Sequence, residues 1–225
     1  MFMETFVLIL YLAVLFSLSA WYLKRRYHRT ETYSVKLIAD ETKLTTVLLL
    51  AYIAVLVMNI VYHNRTETGD AVLKLAKWNT IYCGTLLIAI IDKRERKIPN
   101  ELILTLLCLR AVLLVIEVLV VSDQFKIVVL YPLIGAVIAS MIILAAMIVS
   151  KNGVGMGDVK LYFAIGLYVG STNIMAVLFY SIVASALFGA FLLITKKAGL
   201  KDYMPMAPFA FFGLAVKYFL LLIGG

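Results

Sequence analysis

The chain has 225 residues, of which 64% are hydrophobic and only 15% are charged. Soluble domains are about half apolar and about one quarter charged, so this composition excludes an ordinary water-soluble fold and indicates a membrane protein. The formal net charge of +8 does not indicate nucleic-acid binding, because the basic residues fall in short clusters between apolar runs. We expect one integral membrane domain over residues 1–225.

The apolar runs predict an all-α, polytopic transmembrane bundle of about eight spans. A helix needs roughly 20 apolar residues to cross a hydrocarbon core of about 30 Å. By that measure the spans lie near residues 6–23, 44–62, 78–92, 101–121, 127–149, 158–170, 174–194 and 207–223. The first run follows Glu4 and precedes the first basic cluster, which predicts a retained span with its N-terminus outside rather than a cleaved signal.

The basic clusters predict the topology of these spans. Lysine and arginine are concentrated near residues 24–43, 93–97 and 196–201, which are the ends expected inside under the positive-inside rule. Eight spans with the N-terminus outside also place the C-terminus outside. Two full spans separate Asp92 from Asp158, so both aspartates are expected on the cytoplasmic side. The predicted spans that carry them are short, which favours carboxyl groups close to the lipid surface.

Two charged residues, Arg110 and Glu117, fall inside the fourth predicted span and on one helical face. Charges at that depth are costly and are usually paired. We expect them to form a structural ion pair with another span rather than to take part in catalysis.

The first aspartate ends the third predicted span, in the stretch Ile91-Asp92-Lys93-Arg94-Glu95-Arg96-Lys97-Ile98-Pro99-Asn100. Pro99 cannot continue the preceding helix, and Asn100 is suited to cap the next one. Without a second carboxyl group, Asp92 is equally well explained as a neutralising acid in a basic inner loop.

The second aspartate follows closely spaced glycines in the stretch Gly153-Val154-Gly155-Met156-Gly157-Asp158-Val159-Lys160-Leu161. Glycines at alternate positions interrupt a helix and allow close backbone approach. In a soluble protein the simplest interpretation would be that Asp158 caps a helix. At a membrane boundary, irregular backbone is tolerated only where it is buried in protein or lines a wet cavity, which favours a functional site.

Two carboxyl groups held close together on one side of a membrane indicate aspartyl proteolysis. Like charges a few ångströms apart do not both ionise at low cost, so one group keeps its proton. The ionised group can then act as general base toward water while the protonated group acts as general acid. This chemistry needs no metal or cofactor, and we expect none. Which aspartate holds the proton is left open, because the pair titrates as a unit.

The two aspartate stretches resemble the signatures of type IV prepilin peptidases, a family of Gly-x-Gly-Asp aspartyl proteases. A third stretch, Met204-Pro205-Met206-Ala207-Pro208-Phe209, is similar to the Pro-x-x-Pro-Phe segment that opens the family's last helix. The resemblance covers residues from about 80 to 220. It implies a peptidase core within residues 78–225, while residues 1–77 carry no recognised motif.

The resemblance implies specific roles for the motif residues. Asp92 and Asp158 would be the catalytic pair. The supporting residues would be Gly155, Gly157, Lys160, Pro99, Asn100, Pro205 and Pro208. The substrates would be prepilin or pseudopilin proteins, cut at the cytoplasmic face of the cell membrane after a glycine that precedes a hydrophobic segment.

The chain also departs from the bifunctional members of that family. Those members carry a larger domain with paired Cys-x-x-Cys motifs between the first two spans, whereas the loop over residues 24–43 is short and contains no cysteine. The resemblance therefore does not extend to N-methylation or to S-adenosylmethionine. Two other functions would fit aspartates at a membrane, namely a presenilin-like intramembrane protease and a cation or proton transporter.

Overall fold

All regular structure that the computed structural model describes is helical, which confirms the predicted all-α class. The described residues are 2–28, 46, 49–57, 59–60, 71–120, 126–149, 155–196 and 204–224. The helices are α1 (Phe2–His28), α2 (described at 49–57 and 59–60), α3 (Ala71–Glu95), α4 (Asn100–Val120), α5 (Tyr131–Val149), α6 (Met156–Ile194) and α7 (Ala207–Gly224). A π-helical turn, Lys126–Leu130, leads into α5.

Four described helical segments are long and apolar enough to cross a membrane. They are Phe6–Tyr27, Asn100–Val120, Ile127–Val149 and Met156–Ile194, with a shorter apolar helix at Ala207–Ile223. The runs predicted at 158–170 and 174–194 correspond to two helical stretches of α6 that meet at a kink at Gly170. The total of eight spans stays a prediction, because part of the chain lies outside the described residues. The loop over residues 29–45 lies outside the described residues, and the predicted orientation of the termini stays a prediction.

Helix α3 is longer than the span predicted at 78–92. It begins at Ala71 and has 25 residues, so Asp92 lies in its last turn rather than at the end of a short helix. The sequence prediction stopped at Trp78 because Lys74 and Lys77 end the apolar run. Lysine is a good helix former, so these charges end the hydrophobic stretch without ending the helix.

The chain divides into two compact units, Met1–Asn79 with Leu222–Gly225, and Thr80–Leu221. In the first unit, polar side chains join the helices. The hydroxyl groups of Ser19 and Tyr52 lie 3.0 Å apart, and Asn59 Nδ2 donates to Asn79 Oδ1 over 3.0 Å. Hydrogen bonds of this kind are a common means of association between apolar helices.

In the second unit, α5 packs against α6 through glycines. A Cβ atom added at Gly135 would lie 2.6 Å from the carbonyl carbon of Gly170 and 2.8 Å from Ser171 N. A Cβ added at Gly166 would lie 2.5 Å from Ala136 Cα. The two backbones therefore approach at van der Waals distance, as small residues permit in membrane helices.

Helix α6 is interrupted once, at Gly170, where φ is 74° and ψ is 172°. That backbone conformation is essentially restricted to glycine. A straight helix of its 39 residues would be about 58 Å long, well beyond the hydrocarbon thickness. The interruption divides α6 into a first segment, 156–169, and a second segment, 171–194.

A buried cation stabilises the end of the first segment of α6. Arg110 on α4 donates from Nε to Leu167 O over 2.8 Å and from Nη1 to Glu117 Oε2 over 2.7 Å. The guanidinium also lies over the Tyr168 ring, 5.8 Å from its centroid. The carboxylate partner of Arg110 is thus on its own helix, and the contact with another span is made to a backbone carbonyl. The cation also lies at the C-terminal end of the first segment of α6, where it interacts favourably with the negative end of the helix dipole.

We predict that replacing Gly135 with alanine destabilises the helical core. The added methyl group would collide with α6 backbone, which cannot move aside as a side chain can, so a loss of about 1–3 kcal/mol is expected. Gly189→Ala is the matched control, because its Cβ would meet only Met204 Cε at 3.4 Å. Thermal unfolding in detergent should show a lower midpoint for Gly135→Ala alone. Equal midpoints for the two variants would contradict the close packing.

We also predict that Glu117→Gln destabilises the protein more than the double replacement Arg110→Met with Glu117→Met. The single change leaves a buried cation without its counter-charge, which typically costs about 3–5 kcal/mol, whereas removing both charges is often neutral. Denaturation of the two variants in the same detergent would show which of them is less stable. A double variant that is the less stable of the two would show that the ion pair itself stabilises the bundle.

Candidate active site

Asp158 lies in the first turn of α6 and is 2% exposed. Gly155 precedes the helix in an extended conformation, and its N–H donates to Asp158 Oδ2 over 3.0 Å. In return, Asp158 N donates to Gly155 O over 3.0 Å. The side chain therefore satisfies one backbone donor that a helix N-terminus otherwise leaves unpaired.

Only one carboxyl oxygen of Asp158 is used in this cap. The other oxygen, Oδ1, is buried and has no hydrogen-bond partner among the described residues. A buried carboxyl oxygen left without a partner is destabilising and calls for an explanation. The capping interpretation of Asp158 thus accounts for Oδ2 but not for Oδ1.

Asp92 lies in the last turn of α3 and is 1% exposed. Its Oδ2 atom accepts a hydrogen bond of 3.1 Å from Ala207 N, at the start of α7. Its backbone carbonyl accepts from Arg96 N over 2.8 Å, and Arg96 has a left-handed φ of 54° that ends the helix. The start of α7 therefore holds the carboxyl group of Asp92, while the turn after α3 holds its backbone carbonyl.

The two prolines of the third motif flank the donor to Asp92. Pro205 precedes α7, and Pro208 occupies its first turn, where the missing N–H causes no loss. Phe209 N and Ala210 N both donate to Met206 O. Ala207 N, in the same turn, instead donates to Asp92. The positive end of the α7 dipole also attracts a carboxylate at this position.

Contacts between the first two motifs bring the turn after α3 against the start of α6. A Cβ added at Gly157 would lie 3.1 Å from Ile98 Cβ, so glycine permits this approach. Lys160 Nζ donates to Asn100 Oδ1 over 3.1 Å. Pro99, in the non-helical turn between these two contacts, is half-buried and separates α3 from α4.

Asp92 and Asp158 are close enough to interact electrostatically. Each is nearly inaccessible to water and each accepts a hydrogen bond from backbone at a helix N-terminus. Two ionised carboxylates in such surroundings would repel each other, which favours a pair that holds one proton. Such a pair can supply a general base and a general acid at the same time.

Two residues near these carboxyl groups were missed by sequence reasoning. Ala207 contributes a backbone N–H, which no side-chain pattern indicates. Tyr162 lies one helical turn after Asp158, is 0% exposed, and interacts electrostatically with it. Its spacing of four residues from Asp158 could have identified it, because residues four apart share a helical face.

Comparison with known proteins relates this region to a peptidase family. Residues 80–190 match the model of the type IV leader peptidase family. The chain is also 27% identical over 133 residues to the prepilin leader peptidase/N-methyltransferase of Bacillus subtilis (strain 168). That alignment covers 59% of this chain and 51% of the relative, so the chain spans about half the length of the relative that it matches. No solved structure gave a significant match.

We predict that Asp158→Ala lowers thermal stability more than Asp158→Asn does. Asparagine retains an oxygen that can accept from Gly155 N, whereas alanine leaves that donor unpaired at a cost of about 1 kcal/mol. Thermal unfolding of both variants in detergent measures the difference. Equal stabilities would show that the hydrogen bond to Gly155 does not stabilise the start of α6.

Proposed function

We propose that this chain, whose residues 80–190 match the type IV leader peptidase family, is a membrane-embedded aspartyl endopeptidase that removes leader peptides from prepilin-like or pseudopilin proteins. The observation that supports this most directly is a pair of buried, interacting aspartates, Asp92 and Asp158, each fixed by one backbone N–H. The three sequence motifs that resemble the family contain both aspartates and the residues around them.

In the proposed reaction, the ionised aspartate takes a proton from water as the water oxygen attacks the scissile carbonyl carbon. The protonated aspartate donates a hydrogen bond to the carbonyl oxygen, where negative charge develops. Collapse of the tetrahedral intermediate breaks the C–N bond, and a proton passes to the leaving amine. The products are the leader with a new carboxylate and the mature protein with a new N-terminal amine.

The supporting residues are proposed to hold this geometry. Gly155 anchors Asp158, Gly157 allows α6 to approach the turn at Ile98, and Pro205 and Pro208 flank the donor to Asp92. Lys160 and Asn100 connect the start of α6 to the start of α4 over 3.1 Å. A pair of carboxyl groups must be held to within a fraction of an ångström to be productive, so these contacts serve catalysis indirectly.

The proposed location is the cytoplasmic face of the cell membrane, in a core formed by residues 78–225. Exposed basic residues follow Asp92, among them Lys93, Arg94 and Lys97. Such residues are typical of cytoplasmic loops and of contact with anionic lipid headgroups. The proposed partners are therefore the pilin-like substrate and the lipid bilayer, with no nucleic acid and no cofactor.

We predict that Asp92→Asn and Asp158→Asn each abolish leader cleavage. Asparagine keeps an acceptor for the neighbouring backbone N–H but cannot serve as general base or general acid, so a loss of at least about 10³-fold is expected. The measurement is cleavage of a leader-bearing pilin by purified protein in detergent or liposomes. Glu95→Gln is the matched control, because it removes an acid from the same turn while both aspartates keep their carboxyl groups.

Folding must be measured in parallel, by thermal unfolding and by membrane insertion. Persistent cleavage by Asp158→Asn would contradict the proposal. A leader-bearing pilin should also be compared with a reporter that carries only a transmembrane segment. Cleavage of the reporter alone would indicate a presenilin-like protease, and flux through liposomes without proteolysis would indicate a transporter.

A further inference from the structure

Tyr162 is a buried hydroxyl group that the mechanism above does not use. It is among the largest fully buried side chains of the described chain, and its Oη atom has no hydrogen-bond partner there. Asp158 Oδ1, on the same face of α6, is buried and unpartnered as well. The two groups interact electrostatically. One helix face thus presents two unsatisfied polar atoms, one turn apart.

The surroundings of Tyr162 do not satisfy its hydroxyl. Ser181, in the second segment of α6, is near enough to interact with the phenol, but the two hydroxyl groups do not meet the distance and angle of a hydrogen bond. The Ser181 hydroxyl instead donates to Val177 O over 2.7 Å. Ser181 is itself held by α7, because a Cβ added at Gly213 would collide with Ser181 Oγ and with Val177 O.

A phenylalanine would fill the same space without this cost. Leaving a buried hydroxyl unpaired typically costs about 1–3 kcal/mol. Tyr168, farther along α6, shows the usual arrangement, since its hydroxyl donates to Leu106 O over 2.8 Å. Retaining an unsatisfied hydroxyl beside an unsatisfied carboxyl oxygen is the pattern expected where a protein gives up stability for function.

We infer that Tyr162 is a further catalytic residue, whose hydroxyl donates a hydrogen bond to the substrate oxygen that binds beside Asp158 Oδ1. This inference rests on the proposed function, in which that oxygen belongs to the scissile carbonyl. When water adds to the carbonyl, the oxygen becomes negatively charged, and the phenol stabilises it while keeping its own proton. The interaction strengthens in the transition state, so it raises the rate more than it raises substrate affinity.

The test is Tyr162→Phe, with Tyr168→Phe as the matched control on the same helix. For Tyr162→Phe we expect kcat to fall about 100-fold, as for loss of one oxyanion donor, with KM within about threefold of the wild type. Its thermal stability should be unchanged or higher, because an unsatisfied hydroxyl has been removed. Tyr168→Phe should show the reverse, with lower stability and a kcat near that of the wild type.

A second variant, Ser181→Ala, distinguishes catalysis from packing. If the Tyr162 hydroxyl interacted only with Ser181, Ser181→Ala would lower kcat as much as Tyr162→Phe does, and the inference would be overturned. A kcat for Tyr162→Phe within about threefold of the wild type would also overturn it, as would a fall in activity that merely follows a fall in stability. A wild-type protein that does not cleave leader-bearing pilin would instead reject the proposed function.

Discussion

Two carboxyl groups buried among apolar helices impose the strongest constraint on this fold. Burying a charge without partners is prohibitively costly, so each aspartate must be neutral, shared with a proton, or hydrogen-bonded. The structure meets this requirement with backbone rather than with cationic side chains. Gly155 N donates to Asp158, and Ala207 N donates to Asp92, both at helix N-termini. Backbone donors hold the carboxyl groups without neutralising them, which preserves their capacity for acid and base chemistry.

That requirement explains why the surrounding helices carry glycines at their contacts and why α6 is interrupted. The start of α6 must sit against the turn after α3, which the glycine at position 157 permits, and the body of α6 must be held by its neighbours. Gly135 and Gly166 bring α5 into backbone contact with α6, and Arg110 fixes the carbonyl of Leu167 before the interruption at Gly170. The first segment of α6 thus has Asp158 at one end and a buried cation at the other, matching its dipole.

The sequence was sufficient for the helical class, and it singled out two aspartates that the structure buries, because glycine, proline and carboxylate impose strong local constraints. It was insufficient where the outcome depends on long-range packing. The apolar run that begins at Trp78 did not reveal that α3 already begins at Ala71. The residues in between include lysines, which support a helix as well as apolar residues do. The division near Gly170 was predicted correctly, because two helices meet at a kink there. The contact of Ala207 with Asp92 joins residues 115 positions apart through a backbone atom, and nothing in the side chains indicates it.

The central claim is that Asp92 and Asp158 form one site, and a distance measurement between them tests it most directly. Cysteines would replace both aspartates in a chain lacking Cys83 and Cys108, and a thiol cross-linker spanning about one water molecule would be applied, with intramolecular product detected by mass spectrometry. The account predicts efficient cross-linking for this pair and none for a pair at positions 92 and 117. Cross-linking of the first pair that is no greater than that of the second would contradict the account, because carboxyl groups so far apart could not act on one peptide bond.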